Sequence, residues 1–516
     1  MANMTLFRSW IGALVPRADA RNEAKAPAYQ LPPQHALAQL AATGCLNTTF
    51  YATAEEQLDR VLDLSMRVSP EFVARTAVYC RERGYMKDMP ALLLAAVSRR
   101  DPKLMDRVFD RVVDSPRTLR TFVQIVRSGA TGRKSLGSAP KRCVRRWLDQ
   151  RTDAAIFAAS VGRAPSLVDV IRMVHPKPKT PQREALYRYL MGRTREHDSL
   201  PAVVRQFEAF KAGDRREVPD VPFQMLTALD LSRREWADVA RRGSWQMVRM
   251  NLNTFARHGV FDEPEMTGQI AARLRDAEAI AKARVFPYQL LAAFRATDPK
   301  VPNAVRSALE DAMELAIANV PAIDGQVYVC PDVSGSMRSP ITGHRTGATT
   351  SVRCVDAAAL ITAAIVRRNP TAEVLPFEQS VVSLRLSARD SVMTNAERLA
   401  SVGGGGTAVS APLAKLNARR ATGDLVVIVS DNESWVDAGA HGTATLREWS
   451  AFRARNPRAR LVLIDLQPYT TTQAVEREDI LNIGGFSDQV FEVVADFAAG
   501  RLHNDHWVGR IESVAL

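Results

Sequence analysis

Polar side chains that could hold a hard metal ion follow two apolar runs in the C-terminal part of the sequence. Asp332, Ser334 and Ser336 come directly after the run 326–330, and Asp431 follows the run 425–429. Thr407 directly follows a run of four glycines, 403–406, which lies between these two groups in the sequence. Carboxylate and hydroxyl oxygens are ligands for Mg²⁺, Ca²⁺ or Mn²⁺ rather than for Zn²⁺. Of these ions we expect Mg²⁺, with Ca²⁺ or Mn²⁺ as alternatives. Neutral hydroxyls in place of further carboxylates leave such a cation underneutralised, so it can accept an acidic group from a partner.

The elements that must position these side chains have the pattern of an α/β sheet. Short apolar runs at 326–330, 373–377, 425–429 and 461–464 alternate with helix-like segments at 354–367, 411–417 and 444–454. Such alternation predicts a parallel, doubly wound sheet covered on both faces. Ligand sites in open α/β sheets lie at the carboxyl ends of the strands, which is where the polar groups fall.

The sequence before this sheet has a different pattern. From about residue 55 to residue 315 apolar residues recur at helical spacing, interrupted by short polar breaks with glycine and proline. A long series of helices without a clear repeat consensus favours paired antiparallel helices of the HEAT type. We therefore predict an α-helical region followed by an α/β domain. The predicted segments are an N-terminal arm at 1–30, a helical domain at 31–320 and the α/β domain at 321–516.

Positive charge is concentrated in the helical region. The whole chain carries 69 Lys and Arg against 56 Asp and Glu, a net charge of +13. From residue 321 onward the balance is −2, so residues 1–320 carry +15. A strongly basic region of this kind is typical of proteins that bind nucleic acid or an anionic membrane.

The densest basic segment runs from residue 127 to residue 151, and a second basic group follows it. Lysines and arginines beside flexible glycines suit contacts with phosphates, and His175 could stack on or hydrogen-bond to an unpaired base. The alternative is a solvated helix face on a basic protein, since charge runs are usually surface. The candidate RNA-binding residues are Arg133, Lys134, Lys141, Arg142, Arg145, Arg172, His175 and Lys177.

The metal motif resembles the metal-ion-dependent adhesion site (MIDAS) of von Willebrand factor A domains. That site consists of a DxSxS loop, a later Thr and a later Asp, and all five positions are matched. The matching residues are Asp332, Ser334, Ser336, Thr407 and Asp431. The order of the three groups, with two of them directly after predicted strands, makes the resemblance specific.

The helical region resembles the TROVE module of the Ro ribonucleoprotein autoantigen family in its bacterial form. The resemblance lies in segments 43–51, 90–97, 121–124, 137–147, 169–178 and 286–291, with the A-type domain following as in that family. It implies a ring of HEAT-like repeats closed by the A domain. Small noncoding Y RNAs would bind its outer surface, and single-stranded 3′ ends of misfolded RNAs would enter the hole. Arg172, His175 and Lys177 match the family's R-x-x-H-x-K segment.

These observations predict a non-enzymatic, RNA-binding scaffold for RNA quality control or exonuclease-coupled processing. We find no catalytic constellation, and no apolar run long enough to span a membrane. Five scattered cysteines without a CxxC pair favour a reducing, cytoplasmic setting. We expect a monomer whose partners are a Y-like RNA, RNA 3′ ends and a 3′-to-5′ exoribonuclease. The alternative is a protein-interaction scaffold that binds an acidic ligand through the metal.

Overall fold

The computed structural model of this chain describes nine stretches of it and separates them into two compact units. The described residues are 15–43, 46–193, 198–283, 287–317, 320–344, 352–436, 442–486, 488–502 and 506–516. One unit is formed by residues 73–285 and 293–312 with the last residue. The other is formed by residues 1–72, 286–292 and 313–515.

Helices make up the regular structure between residue 33 and residue 316, where the described residues form no named strand. They are α1 (Pro33–Thr43), α2 (Ala54–Arg67), α3 (Pro70–Glu82), α4 (Met89–Arg100), α5 (Pro102–Val112), α6 (Pro116–Ser128), α7 (Ser138–Asp149), α8 (Asp153–Ala159), α9 (Leu167–Val174), α10 (Pro181–Leu190), α11 (Ala202–Lys211), α12 (Phe223–Leu226), α13 (Arg233–Arg242), α14 (Trp245–Met250), α15 (Leu252–Arg257), α16 (Met266–Leu274), α17 (Ala277–Ala283), α18 (Pro287–Arg295) and α19 (Asn303–Ala316).

Helix boundaries in this region follow from local capping chemistry. Ser115 and Ser166 accept hydrogen bonds from backbone N–H groups in the first turns of α6 and α9. Proline at the start of α5, α6 and α10 fits there because its missing N–H would be unpaired in any case. Gly129 ends α6 in the left-handed conformation, with φ of 92°. The polar breaks of the sequence are therefore helix ends.

The C-terminal part contains a five-stranded sheet in which every neighbouring pair is parallel. Its strands are β3 (Val327–Pro331), β4 (Glu373–Val374), β5 (Leu425–Ser430), β6 (Arg460–Asp465) and β8 (Ile480–Gly484), in the order β4-β3-β5-β6-β8. The remaining helices are α20 (Cys354–Arg368), α21 (Val392–Ala400), α22 (Ala411–Ala418), α23 (Ala444–Arg455), α24 (Asp488–Ala498) and α25 (His506–Glu512).

Helices pack on both faces of this sheet. On one face, Tyr328, Cys330 and Ile428 lie in a buried cluster with Leu413 of α22 and Trp449 of α23. Helix α20 packs on β3 and β5, and α24 packs on β6 and β8. Strands buried on both faces account for the uninterrupted apolar runs of the sequence. The predicted fold class, a helical region followed by a doubly wound α/β domain, is confirmed.

The N-terminal residues belong to the same compact unit as the α/β sheet. Strands β1 (Ala20–Arg21) and β2 (Pro27–Gln30) are antiparallel, and β2 also pairs with β7 (Thr471–Thr472). Helix α1 packs on β8, where His35 Nε2 lies 2.9 Å from the carbonyl oxygen of Asn482. Of the predicted arm at 1–30, residues 1–14 lie outside the described residues; residues 15–30 and α1, which the prediction assigned to the arm and to the helical domain, belong to the compact unit that contains the sheet. Burial of the apolar residues of β2 and α1 against the C-terminal unit is the physical reason.

Among the described residues, no helix is both long enough and apolar enough to cross a membrane.

Candidate metal centre and candidate RNA-binding surface

Three loops meet at the carboxyl edge of the parallel sheet. The first, residues 332–336, follows β3, and the third, residues 431–434, follows the adjacent strand β5. The second, residues 403–407, connects α21 to α22. The N–H of Gly335 donates to the carbonyl oxygen of Gly405 at 2.9 Å, which joins the first loop to the second. The N–H groups of Trp435 and Val436 donate to the carbonyl oxygen of Thr407 at 3.1 Å, which joins the second loop to the chain after the third.

The predicted metal ligands converge through short polar contacts. The N–H of Ser334 donates to Asp332 Oδ1 at 2.8 Å, and Ser430 Oγ donates to Asp332 Oδ2 at 2.7 Å. The hydroxyl oxygens of Ser334 and Ser336 lie 3.4 Å apart. Asp431 directly follows β5, which pairs in parallel with β3, the strand that precedes Asp332. The structure therefore brings Asp332, Ser334, Ser336 and Asp431 together, with Thr407 on the adjoining loop.

Glycine is required where the second loop approaches the first. Gly403 has φ of 80°, and a Cβ atom there would lie 2.3 Å from the carbonyl oxygen of Val333. Any other residue would move the loop outward, and Thr407 with it. The glycine run of the sequence thus has a structural reason at this position.

The electrostatics of the centre fit a cation. Asp332 and Asp431 are almost fully buried, and no described lysine or arginine forms an ion pair with either carboxylate. Burial, followed by the negative charge of Asp431, raises the pKa of Asp332, and burial raises the pKa of Asp431. Two buried carboxylates with only hydroxyl and backbone partners are costly unless they are neutralised.

The donor set also restricts the kind of metal. Among the described residues, no three His, Cys, Asp or Glu side chains are placed to hold an ion by themselves. A metal at Asp332 and Asp431 would therefore need the hydroxyls of Ser334, Ser336 and Thr407, which are ligands for hard cations. When bound, the ion would supply positive charge for an anionic group. The three loops position these ligand side chains and bury them away from bulk water.

Several residues around the centre are absent from the sequence-based prediction. Ser430 orients Asp332, and Glu433 and Asp465 are further buried carboxylates whose pKa is raised mainly by burial. Burial, followed by the negative charge of Asp431, raises the pKa of the Tyr51 phenol. The position of Glu433, two residues after Asp431, was a local signal for that carboxylate. No spacing rule could have found Tyr51, which lies far upstream in the sequence.

The eight candidate RNA-binding residues divide into two kinds. Arg133 Nη2 donates to the carbonyl oxygen of Ser98 at 2.8 Å, and Arg142 pairs with Asp106 at 3.1 Å. Arg145 Nε donates to the carbonyl oxygen of Val174. The others form no ion pair with any described carboxylate, and all but the half-buried Lys141 are exposed; they are Lys134, Lys141, Arg172, His175 and Lys177.

The unpaired residues at 172–177 lie at the end of α9. His175 ends that helix in the left-handed conformation, with φ of 48°, and its side chain is exposed rather than buried as a cap. Arg172 also borders an open groove of about 670 Å³, together with Arg127 of α6 and Asp169. We call Lys134, Lys141, Arg172, His175 and Lys177 the basic surface.

Arg145 is expected to stabilise the fold because it joins α7 to the end of α9. Arg145→Ala should lower the free energy of unfolding of the helical unit by about 1 kcal/mol, since it removes a hydrogen bond from a charged donor. Lys141→Ala, one helical turn earlier, removes the same charge and should change that free energy by less than about 0.5 kcal/mol. Urea denaturation of both variants measures the difference. Equal stabilities would contradict the assignment of Arg145 to a structural contact.

Fold and site together define a two-part protein. A helical region precedes a von Willebrand factor A-like domain, and the five predicted metal ligands lie at the carboxyl edge of its sheet. Residues 326–498 match the family model of the Ro60 vWA domain. The chain is 25% identical to the curated "RNA-binding protein RO60" of Deinococcus radiodurans over 517 residues, which is 93% of this chain and 96% of the relative.

A solved structure has the same fold. The crystal structure of the Deinococcus radiodurans RO (RSR) protein matches with a TM-score of 0.64 and 22% sequence identity, over 91% of this chain and all of that one. The family model and the curated relative therefore support a likeness of this chain to the Ro family, and the solved structure shares its fold.

Proposed function

We propose that this chain is an RNA-binding scaffold that contacts RNA through the basic surface of its helical unit. The observation that carries the proposal is the set of cations at Lys134, Lys141, Arg172 and Lys177, which pair with no described carboxylate. Unpaired cations are free to contact phosphates, whereas a cation held by a carboxylate contributes little net charge to an RNA. The name of the curated relative, an RNA-binding protein, supports the same function.

The finer form of the proposal follows from the family resemblance. A small noncoding, Y-like RNA would bind the outside of the helical domain, and single-stranded 3′ ends of misfolded RNAs would be a second ligand. The scaffold would deliver such RNA to a 3′-to-5′ exoribonuclease in the cytoplasm and would itself catalyse no reaction. Exposed His175 beside Arg172 fits a contact with an unpaired base, because imidazole and guanidinium groups stack on bases.

Structured RNA with a single-stranded 3′ tail should bind more tightly than a blunt duplex of equal length, by about tenfold at about 0.15 M salt. The physical reason is that unpaired bases add stacking and hydrogen bonds to the phosphate contacts that both RNAs share. A filter-binding or fluorescence titration with the full-length protein measures the ratio. An RNA with the same tail at its 5′ end is the control for end preference.

Equal affinity for the tailed and the blunt RNA would remove the 3′-end part of the proposal, since backbone attraction alone does not distinguish ends. Failure to bind either RNA would remove RNA binding itself. If the protein binds RNA, sequencing the RNA that copurifies with it would identify its natural ligand.

A second candidate function is binding of an acidic protein ligand at the metal centre. Its support is a pair of exposed apolar side chains: Trp435 is 49% exposed and Val436 is 43% exposed. Both side chains lie next to Gly406 in the second loop of that centre. Exposed apolar side chains beside a charged centre are typical of interaction surfaces. RNA binding is favoured because the net positive charge of the chain lies in residues 1–320, whereas the remainder of the chain is slightly negative.

A further inference from the structure

The third loop of the metal centre contacts a hairpin from the other end of the chain. Strands β1 and β2 form that hairpin, and its turn is residues 22–26. Asn22 Nδ2 donates to the carbonyl oxygen of Ser434 at 2.7 Å. The N–H of Ala24 donates to Glu433 Oε2 at 3.2 Å. Asn22 is 3% exposed and Ser434 is 2% exposed, so water does not compete for the bond between them.

Asn22 holds the turn and the loop with opposite ends of one amide group. Its Oδ1 accepts from the N–H of Ala26 at 2.8 Å, and its backbone N–H donates to the carbonyl oxygen of Ala26 at 2.9 Å. The amide group is planar, with an acceptor at one end and two donors at the other. Because the turn fixes Oδ1, the Nδ2 group of the same amide is held against Ser434.

Ser434 connects the hairpin to two of the predicted metal ligands. Its Oγ accepts from the N–H of Val409 at 3.0 Å, and Val409 lies two residues after Thr407. Ser434 also ends the loop that begins at Asp431, where the N–H of Glu433 donates to Asp431 Oδ1 at 3.4 Å. A shift of Ser434 would therefore move a ligand on each of two loops.

The hairpin is itself fixed to the α/β domain. Strand β2 pairs with β7, where Tyr29 lies opposite Thr472, and the Tyr29 side chain is buried in the same cluster as Trp449. Strand β7 also contacts the third loop, because Asn432 Nδ2 donates to Thr472 Oγ1 at 3.3 Å. The loop is thus held by two elements, the hairpin turn and β7, that are joined to each other.

We propose that Asn22 is a positioning residue of the metal centre, which holds the third loop so that Asp431 and Thr407 can bind a cation together with Asp332. Two buried carboxylates repel each other before a cation arrives, so the loop that carries Asp431 needs an anchor. Groups that orient ligands without touching the metal change metal affinity by about ten- to a hundredfold. Metal affinity would thus depend on a residue far upstream of the segment that matches the family model, residues 326–498. This inference does not depend on RNA binding.

The test measures the Mn²⁺ affinity of the full-length protein by electron paramagnetic resonance titration. Asn22→Ala removes the bond to Ser434 and should lower Mn²⁺ affinity about tenfold. Hydrogen exchange at residues 432–436 should also be faster in the metal-free variant than in the metal-free wild-type protein, because the loop has lost its anchor. Asp19→Ala is the matched control, since Asp19 Oδ1 accepts from the N–H of Gln30 at the open end of the same hairpin. It should leave Mn²⁺ affinity within about twofold of the wild-type value.

Asn22→Asp keeps the test decisive if Asn22→Ala does not fold. It retains the acceptor that closes the turn and places a second oxygen against the carbonyl oxygen of Ser434. Its added negative charge by itself favours a cation, so a lower Mn²⁺ affinity would come from the lost positioning.

An unchanged Mn²⁺ affinity in Asn22→Ala would overturn the proposal even if the free energy of unfolding fell, because Asn22 would then only stabilise the hairpin. An equal loss of affinity in Asp19→Ala would overturn it too, since any weakening of the hairpin would then suffice. The same holds for a Mn²⁺ affinity in Asn22→Asp at or above that of the wild type, and for failure of the wild-type protein to bind Mn²⁺.

Discussion

Combined substitution of Arg172, His175 and Lys177 should weaken RNA binding about thirtyfold without unfolding the chain. Arg172 and Lys177 are exposed and form no ion pair with a described carboxylate, so each can contact a phosphate. Two lost contacts at about 1 kcal/mol each correspond to that factor. The slope of log K against log salt should flatten by about one unit for each contact.

The substitutions are chosen to leave the backbone undisturbed. Alanine replaces Arg172 and Lys177, and asparagine replaces His175 because it tolerates the left-handed conformation found there. Arg142→Ala with Arg146→Ala is the matched control, since it removes two positive charges that Asp106 and Asp110 already neutralise. A control that lost affinity as strongly as the triple variant would show that overall charge, not the basic surface, governs binding. An unaltered affinity in the triple variant would place the RNA elsewhere.

The parts of the fold that could be predicted are those whose signal is local. Runs such as 425–429 are apolar throughout because both faces of the strand are buried, and the structure has β5 at Leu425–Ser430. The predicted strand at 373–377 is shorter as a regular strand, Glu373–Val374, although the N–H groups of Leu375 and Phe377 still donate to the carbonyl oxygens of Val329 and Pro331. β8 (Ile480–Gly484) was not predicted, since Asn482 interrupts its apolar run.

The N-terminal strands had no local signal at all. β1 contains two residues, and β2 is paired on its other side with Thr471 and Thr472, more than 400 residues along the chain. The four residues of β2, PAYQ, are compatible with a loose arm and with an added strand alike. The distance between the partners is the reason that the sequence could not place this segment with the C-terminal unit.

The sequence predicts more of the candidate metal centre than of the basic surface. The spacing of Asp332, Ser334 and Ser336 places three side chains on one loop, and parallel strands bring Asp431 to the same edge. For the basic residues, sequence gives charge but not pairing. Lys141 and Arg142 look alike in a basic stripe, yet only Arg142 is held by Asp106.

Asp332→Ala should abolish divalent-ion binding to the α/β domain and leave RNA affinity within about twofold of the wild-type value. Asp332 is a buried carboxylate at the point where the first loop, β5 and Asp431 meet, so its loss removes half the charge that would hold the ion. The basic surface belongs to the other compact unit. Carboxylates also repel phosphate unless a metal bridges the two, which makes RNA contact at this centre unfavourable.

Calorimetric titration of Mg²⁺ and Mn²⁺ into the wild-type and variant proteins tests the first part, and RNA titration with and without a chelator tests the second. Glu433→Gln is the matched control, because it removes a neighbouring buried carboxylate that is not among the predicted ligands and should keep ion binding. Retained ion affinity in Asp332→Ala would show that the ion binds at another place. A large loss of RNA affinity on chelation would mean that the ion takes part in RNA binding, and that the two units do not have separate ligands.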